Sequence, residues 1–417
     1  MKQKVFVILF VALLLVSPLF AGGGAEAKSD KKTVTYWSMW NEAEPQGLVI
    51  AEAAAAFEKE KGIKIDVVFN GREIRKTLQP ALDAGETIDI FDEDISRVNS
   101  TWGKYLLPLE EYVSKSYPTT GGVAYKDAVA TALLDLARAE GGGTLKCAPY
   151  QPFAFVVMYN KDLFAKAGIT APPKTWAEFE DVCAKLVKAG ITPITVDDAY
   201  MAAFFGYNLT RMIGYEKTLA MADNNDFKDP AVREFGQIWS DFAKKGYISR
   251  QAASNIYPAG QIEEIAAGKV AMYLNGTWLP NEIKGNAPNL NWGAFAYPAI
   301  KPTGVGTEAN NYGAQCFAIN VNSKVADEAF DFIVYMTTGK WDAKLAEESL
   351  GVPMGKDSAW PKQTAEAKTV IDNTTKWMTW AAGMENLADV NAKIKENFAK
   401  LILGQLDAEG FYQAMNR

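Results

Sequence analysis

Several short stretches of the 417-residue chain set a hydrogen-bonding side chain beside an aromatic ring. Trp40, Asn41 and Glu42 follow one predicted strand, and the carboxylates Asp92, Glu93 and Asp94 follow another that ends at Phe91. Asp197, Asp198 and Tyr200 come after the apolar run 191–196, and Trp278 stands just past Asn275-Gly276, a turn signal. A polyhydroxylated molecule offers hydroxyls in fixed directions together with apolar C–H faces, and carboxylates or amides beside aromatic platforms meet both. A cationic molecule such as a polyamine would suit the same residues through cation–π contacts. A carboxylate pair could also cleave a glycosidic bond. Three adjacent carboxylates resemble a hard-cation site, but the EF-hand spacing is absent.

What the chain lacks narrows the chemistry. There is no histidine, which removes Ser-His-Asp and Cys-His catalysis and the commonest transition-metal ligand. Cys147, Cys183 and Cys316 are far apart and form no CxxC pair, so neither a redox motif nor a zinc knuckle is written here. One disulfide is conceivable, with a thiol left over. No motif calls for a metal or a cofactor. A formal net charge of −7 makes nucleic acid and anionic membranes poor partners.

The elements that would position these residues alternate between strand and helix. A strand at 34–37, a helix at 46–60 with Val49, Ala53, Ala56 and Phe57 on one face, and strands at 63–69 and 88–91 form a βαβ pattern. The pattern restarts in mid-chain. Thr175 and Glu178 make a capping box for a helix that turns Phe179, Val182, Cys183, Leu186 and Val187 inward, ahead of the strand at 191–196. Asp229-Pro230 opens another helix, burying Val232, Phe235, Trp239 and Phe242. A strand at 270–274 runs into Asn275-Gly276, and a last amphipathic helix follows Ser323. Two α/β lobes follow from this, with crossings at 148–152 and around 302–315.

Lys2 and Lys4 precede an apolar run over 5–16, and small residues follow, so residues 1–27 read as an export signal cleaved after Ala21 or, preferably, Ala27. No cysteine near either point could take a lipid. The expectation is a protein free in a periplasm.

Six segments together resemble the family 1 extracellular solute-binding proteins of ABC importers, the maltose-binding-protein-like group. They are 36–46 (YWSMWNEAEPQ), 89–98 (DIFDEDISRV), 149–164 (PYQPFAFVVMYNKDLF), 172–179 (PPKTWAEF), 268–278 (GKVAMYLNGTW) and 323–336. The resemblance implies an α/β fold of two lobes, each a mostly parallel sheet flanked by helices, with the ligand cleft at the hinge between them. The lobes would be 28–148 plus 314–350, and 149–313 plus 351–417. The implied protein is a monomer and not an enzyme; it captures a carbohydrate by lobe closure and delivers it to the permease of an ABC importer.

The same resemblance assigns roles. The loop of Trp40, Asn41 and Glu42 lies on the ligand, while Trp37 is core. Asp94, then Asp92, accepts hydroxyl protons, with an N-cap as the competing role for one of the cluster. Tyr150, Gln151 and Phe153 reach the ligand from the first crossing, and Phe153 stands where maltose-binding protein has an acidic group. Asp198 and Tyr200 match a carboxylate-plus-tyrosine position, against an N-cap and a buried tyrosine. Trp278 stacks flat on a sugar face and supports little core. Tyr312, Gly313 and Gln315 lie at the return crossing, and Trp380 or Trp377 closes the cleft or packs in the core.

Overall fold

The structure is a computed structural model that describes residues 32–417. The predicted export segment and both cleavage points lie outside the described residues.

Five strands build one end of the sheet system. β1 (Thr33–Ser38) alternates exposed and buried positions and pairs in parallel with β2 (Lys64–Phe69) and β3 (Ile90–Asp94). The connecting helix Pro45–Lys61 begins with proline at its first turn and ends at Gly62, whose φ of 72° is the left-handed cap that glycine adopts without a Cβ penalty. β3 pairs antiparallel with β9 (Tyr312–Ile319), and β9 pairs antiparallel with the first half of β4 (Ala148–Asn160). The second half of β4 pairs antiparallel with β6 (Val270–Gly276) and β7 (Trp292–Phe295), and β5 (Thr192–Thr195) lies parallel to β6. The short β8 (Ala309–Asn310) pairs with β10 (Lys376–Trp377). The resulting eight-stranded order is β2-β1-β3-β9-β4-β6-β5, with β7 added on β4. β4 is therefore shared by both ends.

Two apolar cores flank that shared strand. One gathers residues between 34 and 150 and between 314 and 354; the other gathers residues between 154 and 309 and between 367 and 415. The capping box of Thr175 and Glu178 is formed in both directions at the start of the helix Trp176–Lys188. Asp229 caps the helix Pro230–Lys245, which buries Val232, Phe235, Trp239 and Phe242. Val187, expected inward, is 40% exposed because it falls one residue past the buried stripe that ends at Leu186.

Two expected boundaries move. Asn275-Gly276 is no turn: both residues continue β6, opposite Val156 and Phe155. Asn-Gly signals a hairpin when its own flanks pair, and here the partner strand comes from far away in the chain. β3 runs on to Asp94, so Asp92 and Glu93 lie in a strand rather than beyond it. Pairing with β9, which brings Asp94 opposite Gln315, draws these polar residues into the ladder. All three cysteines are buried and free.

Candidate functional site

The chain passes between the two cores along β4 and β9, and the passage is irregular at one point. The β4–β9 register shifts between Tyr150 and Pro152, and Gln151 in this bulge has a φ of 44°. A side-chain-bearing residue there costs on the order of 1–3 kcal/mol, which the surrounding pairing must hold in place. Gln151 at this bulge lines a cavity of about 360 Å³.

Side chains from both cores wall this cavity. Trp40, Glu44, Pro45, Gln46 and Arg72 come from one side; Thr277, Trp278, Asn281 and Glu282 come from the other. Gln151, Pro152, Phe153 and Gln315 lie along the crossing strands, with Ser349 and Gly351 beside them.

Aromatic rings are fixed on both walls. Trp278 lies over Gly276, where a Cβ would fall 2.1 Å from the indole Cζ3. Its ring meets Phe153 edge-on at 5.3 Å, with Phe155 and Trp380 each at 6.1 Å, and its Nε1 donates to the Tyr200 hydroxyl at 3.4 Å. Phe153 sits over Gly313, where a Cβ would come within 2.6 Å of the phenyl Cζ. Opposite, Trp40 donates from Nε1 to the Tyr150 hydroxyl at 2.7 Å, and the Arg72 guanidinium lies 4.5 Å from its ring centre. Arg72 is itself held by Glu44 and by the carbonyl of Met39.

Some polar groups of the wall residues lack partners among the described residues. Among the described residues, nothing donates to the buried side-chain oxygens of Gln151, Gln315 and Asn281. Buried amide oxygens are normally satisfied, at a cost of about 1–3 kcal/mol when they are not. All three residues line the cavity, so amide side chains make up part of its polar wall.

Of the expected site residues, the cavity gathers Trp40, Gln151, Phe153 and Trp278, along with Gln315. Gly313 supports it as the floor under Phe153, and Tyr200 and Trp380 stand behind Trp278. Tyr150 is buried behind Trp40. The others are engaged elsewhere. Asn41 and Glu42 are exposed and outside the cavity wall. Asp92 is enclosed, accepting from the Met39 amide at 2.7 Å and from the Tyr150 hydroxyl, and burial pushes its carboxyl up to about 7. Asp94 caps the helix Ile95–Trp102 through the Ser96 and Arg97 amides, and Glu93 is paired with Arg75 and Arg97. Asp198 accepts from the Tyr257 amide at 2.9 Å, and the Tyr312 carbonyl accepts from Trp377 Nε1 at 2.8 Å. Asp197 is buried against the Tyr273 hydroxyl and the Gly260 amide, each at 2.6 Å, and burial raises its carboxyl.

Residue-type patterns did not point to Glu44, Gln46, Arg72, Asn281, Glu282 or Ser349. Asn281 and Glu282 had a usable signal, since they follow Trp278 by three and four residues and so share its face of one helical turn. Arg72 and Ser349 reach the cavity only through long-range folding. None of Asp92, Glu93 and Asp94 lines the wall, so the acidic cluster supplies neither a cation site nor a catalytic pair there.

The family model described as bacterial extracellular solute-binding protein matches residues 52–373. A Brucella abortus binding protein is 29% identical over 222 residues, 51% of each chain, so this chain spans about half the length of that relative. The melibiose/raffinose/stachyose-binding protein of Bacillus subtilis is 25% identical over 378 residues, covering 85% of this chain and 81% of the relative. The solved structure of a chitin oligosaccharide binding protein has a TM-score of 0.66 at 21% identity over 93% of this chain and 97% of that one. That likeness is one of fold, the two-lobed α/β architecture. With the family match running through both cores and the strands that join them, this chain belongs to the bacterial extracellular solute-binding proteins.

Proposed function

We propose that this protein is the substrate-binding component of an ABC importer, capturing a carbohydrate in the cavity at the β4–β9 crossing and presenting it to a membrane permease. The observation that carries this is the pairing, in one cavity wall, of a fixed indole, Trp278 over Gly276, with the amide residues Gln151, Gln315 and Asn281. An indole suits the C–H face of a pyranose, and the amides suit its hydroxyls. The names of the Bacillus and chitin-oligosaccharide relatives support the same ligand class. A cavity of about 360 Å³ lies at the small end of ligand pockets and favours one or two sugar rings over a long oligosaccharide.

The two lobes follow the two cores, one around 34–150 plus 314–354 and the other around 154–309 plus 367–415, so that Tyr150 and Met354 fall in the first lobe rather than in the second as expected from sequence. The lobes close about the crossing strands as periplasmic binding proteins do. The mature protein is a monomer in a periplasm, released by cleavage of residues 1–27, and performs no catalysis. Among the described residues no helix is long and apolar enough to cross a membrane.

A thermal-shift screen of neutral mono- and oligosaccharides tests the ligand class. A carbohydrate at a hundred times its Kd stabilises by about 2.7 kcal/mol. Small-angle scattering with the best hit then tests closure. No stabilisation by any carbohydrate removes the ligand assignment, and an unchanged radius of gyration at saturation removes closure.

A further inference from the structure

Behind the Trp40 wall a line of hydrogen bonds runs away from the cavity. The Trp40 indole donates to the Tyr150 hydroxyl at 2.7 Å, and that hydroxyl donates to Asp92 Oδ2. Asp92 Oδ1 accepts the amide of Met39, the residue before Trp40, at 2.7 Å. The direction of the line is determined by the groups themselves. An indole N–H can only donate, so the tyrosine hydroxyl accepts from Trp40 and keeps its own hydrogen for Asp92 Oδ2. Tyr150 is 1% exposed and its ring stacks on Phe317 of β9 at 4.0 Å. It also stands on β4 one residue before the strained Gln151.

We propose that Tyr150 is a positioning residue, which sets the angle of the Trp40 ring in the cavity wall and ties that wall to the strand crossing. This rests on the cavity being the ligand site. Arg72 depends on the same ring, because its guanidinium lies 4.5 Å from the Trp40 centre while Glu44 and the Met39 carbonyl hold it. A Trp40 ring freed from Tyr150 therefore disturbs two wall residues at once. The amide of Gln151 adjoins Tyr150 in sequence, so a guest that pulls on Gln151 acts on the anchor of the opposite wall. In this arrangement Asp92 touches no ligand and orients the hydroxyl.

Tyr150→Phe keeps the ring on Phe317 and removes only the hydroxyl. The indole N–H signal of Trp40, assigned by its loss in Trp40→Phe, is followed by NMR in the free protein. It is expected to shift and to exchange faster with solvent in Tyr150→Phe. Affinity for raffinose, melibiose and diacetylchitobiose, used as probes, is expected to fall roughly five- to tenfold, the worth of one hydrogen bond. In the Trp40→Phe background the same change is expected to cost nothing further. Asp92→Asn, which keeps the shape and weakens the acceptor, gives a smaller shift of the same sign and serves if Tyr150→Phe does not fold. An unmoved Trp40 signal overturns the proposal. So does a loss of affinity that is equal in both backgrounds. If the wild-type protein binds none of the three probes, the ligand assignment is left to the wider carbohydrate screen, and the indole signal alone decides the positioning role.

Discussion

The indole of Trp278 occupies the space that a side chain at Gly276 would need, two residues earlier on the same strand end. β6 continues through Gly276 with ordinary pairing to Phe155, so the glycine is required by the ring above it rather than by a turn. One face of the indole is thereby taken up by backbone.

Gly276→Ala is expected to lift the ring off the strand, since the added methyl would meet Cζ3, Cε3 and Cη2 at 2.1–2.3 Å. Carbohydrate affinity should fall about tenfold or more, about 1.4 kcal/mol. Titration calorimetry together with tryptophan emission checks it, and unchanged affinity with unchanged emission would show that the ring tolerates the methyl.

Trp278→Ala should weaken carbohydrate binding roughly 30- to 1000-fold, combining stacking and area burial of about 2–4 kcal/mol. It should also destabilise the fold by about 2–3 kcal/mol, because the ring packs on Phe153, Phe155 and Trp380. That cost exceeds the small one expected of a freely exposed platform. Denaturant unfolding and calorimetry on the same variant separate the two losses, and a fold as stable as wild type would contradict the packing.

The pH dependence of stability should carry the mark of Asp92. Its carboxyl titrates at about 7 in the folded protein because burial disfavours the charged form, against about 4 in an unfolded chain. Between those values the folded state holds a proton that the unfolded state has lost. The contribution to stability is therefore full below about pH 4 and lost as pH rises to about 7. Asp94, Asp197 and Asp342, also raised by burial, act with the same sign. Thermal melts should show the midpoint falling by a few degrees over this range, and Asp92→Asn should flatten the slope. Parallel profiles for the two proteins would exclude Asp92 as a source.

Arg211 is fully buried, its hydrogen bonds among the described residues go to carbonyl and amide oxygens rather than to a carboxylate, and burial lowers its guanidinium to about 10. It donates to the carbonyls of Tyr297, Gly306 and Ala309 and to Asn310 Oδ1, pinning the segment that leads into β9. A lysine cannot reproduce this fork, so Arg211→Lys should cost about 2–4 kcal/mol in denaturant unfolding. A loss below about 0.5 kcal/mol would mean that the segment holds itself.

Much of the fold could be read along the chain because it depends on local periodicity and caps. The Thr175–Glu178 box, the Asp229-Pro230 start and the alternation in β1 and β2 are settled by residues within a turn or a strand of one another. Trp40, Gln151, Phe153 and Trp278 were singled out by resemblance to the solute-binding family as well as by their place at strand ends or crossings, and the structure brings all four into one cavity wall.

The carboxylates were another matter. Asp92, Glu93 and Asp94 look alike in sequence, yet one is enclosed under Tyr150, one is paired with Arg75 and Arg97, and one caps a helix. The cap at Asp94 and the Glu93–Arg97 pair are local, and an N-cap in the cluster was readable in sequence, but the enclosure of Asp92 under Tyr150 of β4, 58 residues away, is encoded by no local pattern. Arg72 and Ser349 likewise reach the cavity through long-range packing alone. The sequence by itself determined which elements form and which side chains could hold a ligand; only the tertiary structure decided which of them share a cavity, because a strand's register with a distant partner selects the face and the neighbours each side chain meets.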